Sequence, residues 1–293
     1  MRRSSIALLA FAVCTLLAAA GEVGPDAPPI RIGSFNIRYA NDGDGPNAWR
    51  HRSAMVLGIL RSADFWGLQE ALPGQIEDIR TGCAEFAVLA RTRDADPATG
   101  EACPILYRAD RWDLDADEHG TFWLSESPEV AGSKSWDSSL PRICTFARFR
   151  SKDGGRAFYL FNTHFDHRGS AARLEAARLL VKRIGARRHP DPVLVTGDLN
   201  CGPSSAPVKA LLGEAAAGLR DAWRETNPDA PEQPSFNGWR DACEGDRIDW
   251  ILVAGELDVE SAAIDASKRE GRWPSDHAFV RAEFVWRAPP AAE

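Results

Sequence analysis

An excess of positive charge is missing from this sequence. Its 293 residues carry 35 Lys and Arg against 42 Asp and Glu, a formal net charge of −7. Non-specific affinity for a nucleic-acid duplex rests mainly on neutralised phosphates. A chain with this balance lacks that overall electrostatic footprint. A local basic patch is still compatible with it, so nucleic acid stays as a second, disfavoured substrate class. Internal repeats are absent, as are long low-complexity tracts and a recognisable linker, which argues against a repeat array or a string of domains. After the first twenty residues, no stretch reaches the roughly 20 apolar residues that a membrane-spanning helix needs. Cysteine is sparse, with six in all.

The first twenty residues read as an address. Arg2 and Arg3 give a positive start, Ile6 to Ala19 is apolar, and Ala18-Ala19-Ala20 has the small-residue pattern of a signal cleavage site. Cys14 follows Val13, a poor fit to a lipoprotein signal. The expected organisation is a signal peptide over 1–20, a Pro-rich lead-in over 21–29, one domain over 30–286 and a tail over 287–293. An uncleaved anchor is the alternative. Loss of Arg2 and Arg3 leaves 33 basic against 42 acidic residues, a net of −9. The mature protein is expected to be periplasmic or secreted, monomeric by default, with no membrane span. Its 44% hydrophobic content suffices for a sizeable core.

In an oxidising compartment, the five cysteines left after cleavage allow up to two disulfides. The expected pairs are Cys83–Cys103, which flank a polar loop, and Cys201–Cys243, which lie in loops beside candidate site residues. Cys144 sits in the alternating run Arg142–Phe149 and is expected to be free and buried.

Periodicity gives a mixed order of elements. Strands are predicted at Ile30–Asn36, Asp64–Gln69, Phe86–Ala90, Cys103–Arg108, Trp112–Phe122, Ile143–Arg150, Ala157–Thr163 and Val193–Thr196. Late strands follow at Arg247–Val253, Val259–Ala263 and Ala278–Phe284. Helices are predicted over Trp49–Ser62, from Pro73, over Ser170–Arg188 and over Ala206–Leu212. Such an order fits an α/β chain, two sheets covered by helices.

Polar residues stand where these apolar strands end. Asn36 closes the first, Glu70 follows Gln69, and His164 follows Thr163. Asp198 and Asn200 follow Val193–Gly197, two apart and so on one face of an extended segment. Asp249 interrupts the run Arg247–Val253, and Asp276 and His277 precede the strand that begins at Ala278. Side chains at strand ends converge on a crevice at one edge of a sheet. Hard oxygens with imidazoles suit a magnesium site that hydrolyses a phosphate ester.

The segments Ser34-Phe35-Asn36-Ile37, Leu68-Gln69-Glu70, Asn162-Thr163-His164, Thr196-Gly197-Asp198-Leu199-Asn200, Arg247-Ile248-Asp249-Trp250-Ile251 and Ser275-Asp276-His277 occur in an order that resembles the endonuclease/exonuclease/phosphatase (deoxyribonuclease I-like) family. Trp123-Leu124-Ser125-Glu126, Leu140-Pro141-Arg142 and Asp166-His167-Arg168-Gly169 resemble a bacterial branch near the carbon-catabolite-repressor and nocturnin deadenylases. The resemblance implies a four-layer α/β/β/α sandwich, with two mixed sheets face to face. It implies Mg²⁺ or Mn²⁺ held by Glu70, with Asn36 and Asp276 completing or orienting the shell. His277 is then the catalytic imidazole, oriented by Asp249, and Asp198 orients or deprotonates water. Asn200 and His164 hold phosphate oxygens, His164 standing among the catalytic groups as well.

Arg38, Arg142, Arg168 and Arg173 surround these motifs, and arginine suits bidentate phosphate recognition. Arg142 leads as a substrate contact, with Arg38 and Arg168 beside it. Trp123, Trp136 and Trp239 are read either as stacking faces for a base or sugar or as core residues. The expected substrate is a small phosphate ester: a nucleotide, a sugar phosphate or a lipid head group. A secreted nuclease is the second enzyme reading, and a non-catalytic binding member the third.

Overall fold

The computed structural model describes residues 28–213 and 218–287. The expected leader, most of the lead-in and the tail after Arg287 lie outside them. The apolar runs become strands because their side chains alternate between two packing faces, both of which are covered. β1 (Ile30–Asn36), β2 (Phe65–Gln69), β3 (Phe86–Leu89) and β4 (Ile105–Arg108) belong to one sheet, joined late by β11 (Leu257–Asp265) and β12 (Phe279–Trp286). Its order is β11-β12-β1-β2-β4-β3. The other sheet runs β5-β6-β7-β8-β10-β9. Its strands are β5 (Trp112–Trp123), β6 (Ile143–Ser151), β7 (Ala157–His164), β8 (Val193–Asp198), β9 (Arg220–Asp221) and β10 (Asp249–Ala254).

Each sheet holds one parallel pair. β1 and β2 are joined through α1 (Trp49–Leu60), and β7 and β8 through α3 (Ser170–Gly185). α1 and α2 (Pro73–Gly82) cover the first sheet through Val56, Leu60, Ile76 and Ile79 against Phe35, Trp66 and Leu68. α3 and α4 (Ala206–Leu212) cover the second through Ala177, Leu180 and Leu211 against Tyr159, Val195 and Leu252. Between the sheets lies a third cluster, in which Phe65 meets Phe149 and Phe158 edge-on at 4.9 and 5.1 Å. This is the expected four-layer sandwich.

Toward the site, the middle layer turns polar. Asn162 Nδ2 donates to the carbonyls of Leu68 and Pro104, and its Oδ1 accepts from Gln69 Nε2 at 2.8 Å and Thr196 Oγ1 at 3.1 Å. Gly67 makes room for this clamp: a Cβ there would stand 2.0 Å from Thr196 Oγ1. With both ends of the Asn162 amide paired, this buried clamp fixes the two sheets against each other.

Some elements depart from expectation. α3 closes at Gly185 rather than Arg188: the Ala186 N–H turns back onto the Lys182 and Arg183 carbonyls at 3.1 and 3.2 Å, tightening the last turn. The short β9 and α5 (Ala222–Thr226) carry too few residues for a periodic signal. The expected disulfides do not form, and all five cysteines among the described residues are free. Cys83 packs beneath α1 and α2, while Cys103 packs with Trp123 and Ile143. Cys201 lies against the outer layer of the second sheet, Cys243 against the inter-sheet core. Each expected pair is thus split between separate clusters. Cys144 is buried and free, as its alternating strand indicated. No helix among the described residues is long and apolar enough to cross a membrane.

Candidate active site

Strand register brings the polar groups together. Antiparallel pairing sets Asp249 directly opposite Asp198, and parallel pairing sets His164 opposite Asp198 on the other side. Neighbouring strands stand about 4.8 Å apart, so three ionisable side chains occupy one row. In the facing sheet, Asn36 pairs with Gln69, which places Glu70 one residue beyond the strand end. His277 enters just before β12, bridged to Phe236, whose ring meets the imidazole edge-on at 4.9 Å.

The amide of Asn36 joins the two sheets. Its Nδ2 donates to Glu70 Oε1 and Asp198 Oδ2, both at 3.0 Å, while Oδ1 accepts from the Arg38 N–H at 3.0 Å. As placed, Asn36 orients Glu70 rather than offering an oxygen of its own. The second Glu70 oxygen accepts from the Tyr39 N–H at 3.1 Å. Arg38, Glu70 and Asn200 all adopt left-handed backbone, with φ of 55°, 62° and 50°. For Arg and Glu this is a strained conformation, worth about 1–3 kcal/mol each, and such strain collects at functional sites.

Asp249 and His277 form a buried dyad. His277 Nδ1 lies 2.9 Å from Asp249 Oδ2, which also accepts from Ser235 Oγ at 2.7 Å. Asp249 Oδ1 is buried with no partner. Burial opposes a charged His277, but the charges of Asp249 and Asp198 outweigh it and raise its pKa well above the usual value. Its Nε2 lies 3.8 Å from Asp198 Oδ2. Burial, with Asp249 nearby, pushes the Asp198 carboxyl up to about 7. His164 behaves oppositely. Burial and the Arg142 charge hold its pKa well below the usual value, so it is neutral. Its Nε2 is 3.0 Å from Asn200 Nδ2, which also donates to the Phe165 carbonyl.

These groups line a cavity of about 530 Å³. Glu70, His164, Asp198, Asn200, Asp276 and His277 form its strand end. Arg93, Glu101, Leu140, Arg142 and His167 form the other end, on three loops. Asp249 sits behind His277. Arg38 lines the cavity too, its guanidinium gripped by Asp44 at 3.0 Å twice and 3.8 Å from Asp276.

Arg168 is the exception among the expected contacts. It is exposed, does not line the cavity, and only its backbone N–H bonds, to Asp166. A neighbouring Arg in the motif was no guide, because the loop turns that side chain outward. Arg173 donates to the Asp166 carbonyl and likewise stays off the cavity. None of the three tryptophans lines it. Trp123 is core, Trp136 lies on the surface, and Trp239 packs against Arg52. Arg93, Glu101, His167, Ser235 and Phe236 escaped sequence reasoning as site residues. His167 had a readable signal in the segment Asp166-His167-Arg168-Gly169, and the hairpin that carries the first two had one only in the strands flanking it.

The donor set fits a hard divalent cation. Glu70 and Asp276 offer carboxylate oxygens to the cavity, and burial raises the pKa of Asp276 as it does that of Asp198. The chain thus leaves buried negative charge that a hard cation would offset. Asp198, Asp249 and His277 also place potential ligand atoms within 4.8 Å of one another. Their contacts fit a proton relay better, because Nδ1 of His277 is committed to Asp249.

Residues 33–277 match the model of the endonuclease/exonuclease/phosphatase family. A solved endonuclease/exonuclease/phosphatase protein from Bacteroides vulgatus is 32% identical, covering 89% of this chain and 100% of its own, with a TM-score of 0.81. A mannosyl-6-phosphatase from Bacteroides thetaiotaomicron is 32% identical over 88% of this chain and 100% of its own, with a TM-score of 0.79. The human nocturnin catalytic domain shares the fold at 18% identity, covering 88% of this chain and 100% of its own, with a TM-score of 0.69. No curated protein matches. A family match that runs from β1 to His277, over the strands whose register assembles this site, shows that the chain belongs to the endonuclease/exonuclease/phosphatase family of metal-dependent phosphoesterases.

Proposed function

We propose that the chain is a magnesium-dependent phosphoesterase that hydrolyses a small organic phosphate outside the cytoplasm. The observation that carries this reading is the convergence of Asp198, the Asp249–His277 dyad and Glu70 on one cavity of about 530 Å³. That volume is in the range of small-molecule sites, roughly 300–1,000 Å³. The relative named as a mannosyl-6-phosphatase favours a phosphomonoester over a polymer. The leader-like start, with Arg2, Arg3 and the apolar run to Ala19, supports export.

The residues divide the work by their protonation. Asp198 is anchored by Asn36 Nδ2 and the Asn200 N–H, leaving it positioned to take a proton from the attacking water. His277, charged and held by Asp249, donates to a phosphoryl oxygen as negative charge develops there. Neutral His164 and Asn200 position the phosphate beside them. The bond from water oxygen to phosphorus forms, the bond from phosphorus to the ester oxygen breaks, and the departing alkoxide takes a proton from solvent, while the proton gained by Asp198 returns to solvent. Glu70 and Asp276 would hold the cation, with Asn36 orienting Glu70. When bound, Mg²⁺ supplies charge neutralisation and polarisation at the phosphoryl oxygens.

The test compares p-nitrophenyl phosphate with bis-p-nitrophenyl phosphate, with and without Mg²⁺ or Mn²⁺, in wild type and His277→Ala. Metal-dependent turnover of the monoester that falls about 10³-fold in the variant is expected. Equal turnover by both proteins would refute the assignment. Export is checked separately, by N-terminal sequencing of the periplasmic protein for cleavage near Ala20.

A further inference from the structure

The loop end of the cavity has a composition that the phosphate chemistry does not use. Arg93 and Glu101 come from the β3–β4 hairpin. Its register runs through Leu89↔Ile105 and Thr92↔Ala102, which puts Arg93 opposite Glu101, and the Arg93 N–H donates to the Glu101 carbonyl at 2.8 Å. Their side chains form a two-point fork, at 2.6 and 2.9 Å. The Ala71–Ala102 bridge fastens this hairpin beside Glu70. Arg142 comes from the β5–β6 loop, with its side chain 5% exposed. Its Nη2 is 3.0 Å from His167 Nδ1 and its Nε lies 3.5 Å from Asp166 without a hydrogen bond. Among the described residues, the buried Nε atoms of Arg93 and Arg142 both lack a partner.

This wall is nearly neutral in sum. Arg93 is matched by Glu101 and Arg142 by Asp166, while burial and Arg142 keep His167 on the uncharged side of its usual range. A second phosphate would want surplus positive charge, which the pairing removes. A purine or pyrimidine would want a flat aromatic face. The two aromatic rings lining the cavity do not offer one at this end: Tyr39 lies under the Arg38 guanidinium, 4.4 Å from its centroid, and Phe236 is turned edge-on to His277. Leu140 is the one aliphatic residue in the lining. What remains is an array of fixed donors beside a carboxylate acceptor, which complements hydroxyl groups, since each hydroxyl both donates and accepts.

We infer that Arg93, Glu101, Arg142 and His167 form a subsite for a polyhydroxylated leaving group, so that the substrate is a sugar or other polyol phosphomonoester. The inference rests on the phosphoesterase reading and sharpens it. Glu101 would accept from neighbouring hydroxyls of the sugar, and Arg93 and Arg142 would donate to their oxygens. A site built to bond such groups rejects analogues without them, because its buried polar atoms are then left unpaired.

The experiment measures kcat/KM for mannose 6-phosphate, glucose 6-phosphate, adenosine 5′-monophosphate and p-nitrophenyl phosphate with wild type and Glu101→Gln. Wild type is expected to favour a hexose phosphate over the nucleotide by at least tenfold. In Glu101→Gln the ratio of hexose phosphate to p-nitrophenyl phosphate is expected to fall about tenfold, mostly through KM. A nucleotide preference, or an equal loss on all substrates, overturns the subsite while leaving the phosphoesterase standing. If wild type turns over none of them with Mg²⁺ or Mn²⁺, the phosphoesterase reading falls and the subsite with it. The wild-type comparison decides the question even if the variant does not fold.

Discussion

Around one end of the cavity, His164 and Asp198 in its lining and Asn36 and Asp249 behind it are set by strand register, four side chains that are at most 5% exposed. At the other, Arg93, Glu101, Arg142 and His167 stand on three loops and owe their positions to one another. The strand end carries an excess of buried negative charge and strained backbone at Glu70. The loop end is charge-balanced, with strain at none of its four residues. A rigid end that is electrostatically uncomfortable suits bond breaking, where preorganised charge does the work. A balanced end on loops suits recognition, where variation is tolerated.

The comparison is broken most sharply at Asp249. Asp249→Asn keeps the shape of the dyad but removes the charge that raises the His277 pKa. We expect kcat on p-nitrophenyl phosphate to fall about 10²–10³-fold, and the alkaline limb of the pH profile to move to lower pH, since burial of the imidazole would then be opposed only by Asp198 and Asp276. A variant with an unchanged pH profile would show that Asp249 only packs against His277. No loop-end substitution should move that limb.

The same contrast decided what could be read from the sequence. Asn36, Glu70, His164, Asp198 and His277 each follow or precede an apolar run, so a strand assignment already placed them at an edge. Two sheets followed from the alternation of elements. The Asp249–His277 contact itself joins positions far apart in the chain, and only the pairing of β10 with β8 and of β12 with β1 brings them together. Arg93 and Glu101 lie in a stretch that reads as polar loop, Asp94-Ala95-Asp96-Pro97 and onward. Their alignment needs the hairpin register, which no local pattern declares. The disulfide expectation failed for a related reason: loop position says nothing about which core cluster a cysteine enters.

A smaller effect follows from the charge imbalance. Asp198 has a folded pKa raised to about 7, and those of Asp276 and His277 are raised as well. A group whose folded pKa is raised stabilises the protein fully below its unfolded pKa and loses that contribution as pH rises through the folded value. For the carboxyls the loss begins above about 4. His164 and His167, whose values are lowered, act in the opposite sense below about 6.5, so the metal-free protein should lose thermal stability mainly between about pH 6.5 and pH 8. Mg²⁺ should restore more of it at pH 8, where the ligands are deprotonated, than at pH 5. We expect a Mg²⁺-induced rise in Tm of several degrees at pH 8 by calorimetry. A rise that is larger at pH 5 would mean that the buried carboxylates are not the ones engaged.

The smallest expected effect separates the motif from the geometry. Arg168 lies among the motif segments, and the suitability of arginine for phosphate recognition pointed to it as a substrate contact, yet its side chain is exposed and off the cavity. Its backbone N–H, with that of Gly169, donates to Asp166 Oδ1, and Asp166 in turn faces Arg142. The useful part of this residue is thus main chain, and truncation of the side chain leaves that bond intact. Exposed substitutions away from such features usually shift stability by no more than about 0.5 kcal/mol. Arg168→Ala should then keep kcat/KM on p-nitrophenyl phosphate and on hexose phosphates within about twofold of wild type. A tenfold loss confined to hexose phosphates would mean that the 165–169 loop folds inward over the sugar. The loop end would then be assembled by substrate rather than preformed, and the division between a rigid catalytic end and a rigid recognition end would give way to one between a fixed end and a closing one.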